Sequence, residues 1–160
     1  MGVRERWHKT RRIPLSTEDA LSRVEQHLRQ DERIRVLYLF GSRRADLAGG
    51  PDQSRPQPDS RDLDLGVVTS RDFAWEDYYI LLEELGGRIR SDRLDLIWLN
   101  EADPVMAFQV IRDGSVLLYR DAEELNDFER KAKHRFYDYR IYLKQHEARR
   151  RTSGEDSHGV

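Results

Sequence analysis

The chain has 160 residues, enough for one domain with a hydrophobic core, and 36% of them are charged against 38% hydrophobic. Its 28 basic and 30 acidic residues leave a net charge of −2, without the basic excess of a general nucleic-acid binder, so no direct nucleic-acid binding is expected. The absence of cysteine excludes disulfides, thiolate zinc sites and cysteine nucleophiles; the absence of a long apolar run, and of an apolar segment in Met1–Trp7, predicts no membrane span, no secretion signal and a cytoplasmic location.

Residues 1–15 read as a basic, irregular tail punctuated by Pro14. Ser16 or Thr17 then caps a first helix: Glu18 and Asp19 suit its positive end, and Ala20, Leu21, Val24 and Leu28 form an apolar face. Ile34–Phe40 is a buried strand that stops at Gly41. Residues 49–61, dense in Gly, Pro, Ser and charge, read as a loop insertion. Asp62–Val68 is a second strand, 73–90 a helix with Tyr78, Leu81, Leu82 and Leu85 on one face, and Leu94–Leu99 a third strand. A short helix over 102–112 and a fourth strand over Val116–Tyr119 follow.

The last element is a long helix from about Ala122 to about Ala148, with an apolar stripe of Leu125, Phe128, Ala132, Phe136, Tyr139 and Leu143 at steps of three and four. Its place in this stripe predicts core packing for Tyr139. Arg149–Arg151 read as a solvated basic helix end, and 149–160 as a flexible tail. The whole predicts an α/β (α+β) body over residues 16–148: a small mixed sheet flanked by helices, with a long C-terminal helix.

Asp62 and Asp64 stand at i and i+2 on a strand, so both carboxylates point to one face while Leu63 and Leu65 point into the core. Acids are disfavoured in so apolar a strand, and adjacent carboxylates repel unless a cation lies between them. Asp95 opens another apolar strand, Leu94-Asp95-Leu96-Ile97-Trp98-Leu99. If that strand pairs beside Asp62–Val68, three carboxylates converge and can hold magnesium, which favours oxygen ligands. Gly41-Ser42, directly after the first strand, permits a sharp turn whose hydroxyl and backbone amides can bind phosphate; Arg43 and Arg44 add charge there.

This order of strand, Gly-Ser, Asp-x-Asp strand, helix and third Asp strand resembles the DNA polymerase β-like nucleotidyltransferase superfamily. More closely it resembles the minimal nucleotidyltransferases of the MntA antitoxin type. The similarity extends to Leu94–Asn100, to Ala102, Pro104, Gly114 and Leu118-Tyr119, and to Phe128-Glu129-Arg130-Lys131-Ala132 followed by Tyr137-Asp138-Tyr139; it covers roughly residues 16–145. The resemblance implies an antitoxin that transfers AMP from ATP to a tyrosine of a cognate HEPN-domain ribonuclease toxin, with which it forms a hetero-oligomer. It implies that Gly41 and Ser42 hold the triphosphate, and the charge of Arg43 beside them places that residue with them in the nucleotide site. It implies further that Asp62, Asp64 and Asp95 bind two Mg2+ ions and that Asp95 assists deprotonation of the attacking hydroxyl. Two departures stand out: residues 43–61 make a longer connection between Ser42 and Asp62 than the family usually has, and Ala45-Asp46-Leu47 occupies the place of its second glycine. Two other readings use the same residues: an antitoxin that neutralises by docking alone, and a nucleotidyltransferase of the aminoglycoside-modifying type.

Overall fold

Ser16 opens the first element as predicted, its hydroxyl accepting a 3.1 Å hydrogen bond from the Asp19 amide. The computed structural model describes residues 11–48 and 61–155. In chain order the elements are α1 (Thr17–Leu28), β1 (Ile34–Phe40), a 3-10 segment (Ser42–Ala48), β2 (Leu63–Thr69), α2 (Trp75–Ile89), β3 (Leu94–Trp98), α3 (Pro104–Asp113), β4 (Ser115–Tyr119) and α4 (Ala122–Glu155). The predicted insertion at 49–61 lies outside the described residues except for Arg61.

The strands form one four-stranded mixed sheet of order β3-β2-β1-β4. β1 is antiparallel to both β2 and β4, whereas β2 and β3 are parallel and joined through α2. Alternation along the strands separates two cores. Leu37, Leu39, Leu63, Leu65 and Leu96 pack with Leu21 and Val24 of α1 and Leu81 and Leu85 of α2. On the other face Val36, Tyr38 and Val68 meet Val110 of α3, with Leu125 and Phe128 of α4 against them. The fold is thus the predicted α/β arrangement, with helices on both sides of the sheet.

Two contacts fix the heading of α4. Arg35, near the start of β1, makes a charge-assisted pair with Glu124 at 2.7 Å. Tyr38, further along β1, donates to Glu129 at 2.9 Å. Burial, then the Glu129 carboxylate, push the Tyr38 phenol above its ordinary pKa, so it remains a donor. The helix therefore runs in the same sense as β1, toward the end of the sheet where β1 gives way to Gly41.

The structure corrects three expectations. Ile13, assigned to the tail, is 1% exposed and belongs to the core; the Arg11 amide donates to Asp92 at 2.9 Å and the Ser91 hydroxyl donates to the Arg11 carbonyl. Ile13 and Leu15, which also packs against this core, stand on either side of Pro14 after two arginines, too short a run to show a period. The C-terminal helix continues to Glu155 rather than ending near Ala148, because arginine is a good helix former and neither Gly nor Pro interrupts before Gly154. Tyr139 is not a core residue. Ala132 is the last buried position of α4, Phe136 stacks on Phe108 at 4.0 Å, and Tyr139 beyond them is 37% exposed. The apolar stripe outlasts the body it packs on.

Candidate active site

β1 ends at Phe40, and the chain turns through Gly41 at φ +72°, the left-handed region that glycine adopts without steric cost. A Cβ at Gly41 would lie 2.0 Å from Oδ2 and 2.8 Å from Cγ of Asp64, so the backbone of the turn rests directly on the Asp64 carboxylate. Asp64 is the register partner of Phe40 on one side and of Asp95 on the other. Register partners share a face and stand about 5 Å apart. The Gly41 turn, Asp64 and Asp95 therefore run in a row across one end of the sheet, on the face that carries α3 and α4. Asp64 is half-buried and Asp95 exposed. The convergence expected from sequence holds for these two acids because the parallel pairing has no register slip between them.

Asp62 precedes β2 by one residue, and its Oδ1 lies 3.5 Å from Nη1 of Arg93. Among the described residues no three His, Asp or Glu side chains are gathered closely enough to form a complete metal cage. The donor chemistry nonetheless suits magnesium: two hard carboxylates, Asp64 and Asp95, are register partners on one strand pair, and a third, Asp62, stands just ahead of β2.

The Gly-Ser turn is held by a polar clamp that sequence reasoning missed. The Ser42 carbonyl accepts from Arg61 Nη1 at 3.0 Å, and Arg61 Nη2 donates to Asp46 at 2.8 Å. Asp46 also accepts from the Thr17 hydroxyl at 2.5 Å. Arg43 closes the clamp: its guanidinium donates to Thr17 Oγ1 at 3.0 Å and to the Arg61 carbonyl at 3.0 and 3.2 Å. With 1% of its surface exposed, Arg43 faces inward and is not placed to meet a phosphate, contrary to the expectation. One residue on, Arg44 is exposed and donates to Ser115 Oγ at 2.8 Å. The clamp residues lie on α1, the 3-10 segment and the entry to β2, and no local pattern links them.

Beyond the turn an open cleft of about 910 Å3 runs between the 3-10 segment and α3. Gly41, Ser42 and Arg44 border it, and Leu47, Met106 and Val110 give it apolar walls.

A mixed sheet with paired acids at one end, beside a glycine turn and a cleft, is the architecture of a nucleotidyltransferase. The family described as Polymerase beta, Nucleotidyltransferase matches residues 22–123, and the chain belongs to that family. Three solved structures share the fold. A toxin–antitoxin MntA–HepT complex matches with 20% identity over 88% of this chain and 97% of that chain, at a TM-score of 0.54. A toxin–antitoxin structure with AMP-PNP matches with 24% identity over 84% and 94%, at 0.53. A complex of a tri-AMPylated HEPN toxin from Shewanella oneidensis with an MNT antitoxin matches with 20% identity over 86% and 96%, at 0.50. No curated protein matches the chain by sequence. Among the described residues no helix is long and apolar enough to cross a membrane.

Proposed function

We propose that this chain is a magnesium-dependent, cytoplasmic adenylyltransferase that moves AMP from ATP onto a tyrosine of a HEPN-domain ribonuclease toxin, and so acts as its antitoxin in a hetero-oligomer. The observation that carries the reading is the register of β2 on β3, which stands Asp64 beside Asp95 with the Gly41 turn against Asp64. The family membership supports nucleotidyl transfer, and the solved complexes of the same fold, one holding an AMPylated HEPN toxin and one AMP-PNP, support the acceptor and the donor.

In this reading the amides of Gly41 and Ser42 receive the triphosphate, Arg44 supplies the cation expected of Arg43, and the cleft receives the nucleoside. Asp62, Asp64 and Asp95 hold the metal, with Asp62 leaving Arg93 to do so. Magnesium, when bound, neutralises the triphosphate and the leaving pyrophosphate and acidifies the attacking hydroxyl. The phenol oxygen bonds to the α-phosphorus as the bond from that phosphorus to the bridging oxygen breaks. The pyrophosphate keeps the electron pair, and the phenol proton passes to Asp95. Asp64 and the turn hold donor and acceptor in line, which is the larger part of such catalysis.

The test is pyrophosphate release from ATP by the purified chain with its HEPN toxin. Release should require both toxin and magnesium and vanish in Asp64→Asn; release that is independent of magnesium, or that Asp64→Asn retains, contradicts the proposal. A docking-only antitoxin is the second reading, favoured by the pairing of Asp62 with Arg93. Under it the Asp62→Asn, Asp64→Asn double variant protects cells as well as the wild type.

A further inference from the structure

Among the described residues the outer half of α4 stands apart from the rest. From Tyr137 to Thr152 every residue is exposed. At 1.5 Å per residue the helix beyond that point extends about 27 Å past its last ring contact with the body, Tyr137 against Phe108. An isolated polar helix would be the ordinary reading of such a projection, but this one is not polar all round. Tyr139 and Leu143 continue the packed stripe of Ala132 and Phe136 at steps of four, three and four, and Tyr142 widens it. Tyr142 is 54% and Leu143 39% exposed. That spacing is the one by which a helix seats against another helix.

Charge selects what covers the seam. Residues 133–151 carry seven Lys or Arg against two acids, Asp138 and Glu147. Arg135 and Arg140 flank the seam on opposite sides, and Lys144 adds to one of them. A second copy laid along it would bring like charges together on the flank of Arg135 and Arg149, which disfavours self-pairing, although Glu147, seven residues after Arg140, offsets the basic residues of the other flank. A helical surface with an apolar furrow and acidic rims complements it, and exposed tyrosines are among the side chains most often found anchoring protein interfaces.

Position selects what the partner is for. α4 lies on the face of the sheet that carries Asp64 and Asp95 and runs in the same sense as β1, toward the end where the Gly41 turn meets Asp64. A protein gripped by the outer half of the helix is held on the side of the carboxylates.

We infer that the outer half of α4, with Tyr139, Tyr142 and Leu143 as its seam, is the docking arm for the acceptor protein: a helical, acid-rimmed surface of the HEPN toxin. This rests on the adenylyltransferase reading for the identity of the partner. The arm fixes affinity for the acceptor, while the carboxylates carry out the transfer.

The full-length chain and a Tyr139→Asp, Leu143→Asp variant are titrated into fluorescently labelled HEPN toxin near physiological salt, with circular dichroism to check that the helix persists. The variant is expected to bind at least about tenfold more weakly, to raise the KM for toxin in AMP transfer, and to keep kcat at saturating toxin. Wild-type binding is expected to weaken as salt is raised. Asp64→Asn is expected to do the reverse, binding the toxin normally and transferring nothing. Equal binding by wild type and arm variant overturns the docking arm even if AMP transfer is intact. Absence of transfer by a wild type whose arm-dependent binding is intact overturns the adenylyltransferase reading instead. A wild type that dimerises in sedimentation through these residues, or that binds a labelled single-stranded RNA through them while toxin binding is unchanged, also overturns the docking arm.

Discussion

Replacing Gly41 by alanine tests the site at its tightest point. A Cβ there would stand 2.0 Å from Asp64 Oδ2, 2.8 Å from its Cγ and 3.1 Å from its Cβ. Rotating the carboxylate about the Cβ–Cγ bond clears the oxygen but leaves Cγ in place, so relief requires a change at the Cα–Cβ bond of Asp64 or a shift of the turn. Either removes the carboxylate from its place beside Asp95, by about 1 Å or more, and misplacement on that scale costs about a hundredfold in rate. Alanine must also adopt φ +72°, which adds about 1–2 kcal/mol of strain. In a chain of this size that lowers the melting temperature by roughly 2–8 °C. The assay pairs thermal unfolding with the initial rate of AMP transfer at saturating ATP. A Gly41→Ala variant that melts slightly early yet transfers AMP at the wild-type rate would refute the close approach of turn and carboxylate.

Three further outcomes are expected. Asp64→Asn and Asp95→Asn should each lower transfer by about a thousandfold, since each removes several kcal/mol of charge stabilisation, while leaving melting unchanged within a few degrees; stopped-point assays with labelled ATP measure this. Arg43→Met should leave the Arg61 carbonyl and Thr17 hydroxyl without their buried donor, costing about 1–3 kcal/mol in urea unfolding, while Arg44→Met should instead raise the KM for ATP with little loss of stability. The Arg33 guanidinium beside Asp31 holds that carboxyl below its ordinary pKa. A depressed carboxylate stabilises above its unfolded value, about 4, and loses that contribution as pH falls through the lower folded value. Wild type and Asp31→Asn should therefore differ in urea midpoint at pH 7 and converge as pH falls through the depressed folded value; a difference that grows in acid would contradict the pairing.

What the sequence discloses here follows from what each pattern records. Runs such as Ile34–Phe40 and Leu94–Trp98 identify strands because β-branched and aromatic residues fill a pleated, two-sided core. The opposition of Asp64 and Asp95 was legible because a strand, a helix and a strand make a parallel pair, and the period of two does the rest. Arg43 and Arg44 are indistinguishable in sequence, and only the twist of the 3-10 segment turns one guanidinium inward and the other to the cleft. The clamp of Thr17, Asp46 and Arg61 joins residues 15 to 44 positions apart, so no short pattern contains it. The stripe on α4 is apolar as its spacing predicts but is not buried at Tyr139, because periodicity reports an amphipathic face and not whether anything stands opposite it.

The central claim is that these carboxylates place AMP on a partner protein. Its most direct test is the intact mass, with peptide mapping, of the HEPN toxin after incubation with ATP, magnesium and either the wild-type chain or Asp64→Asn. The account predicts a gain of one or more AMP units on a toxin tyrosine with the wild type and an unmodified toxin with the variant. A toxin that is bound and neutralised by the wild type with no gain in mass would contradict it.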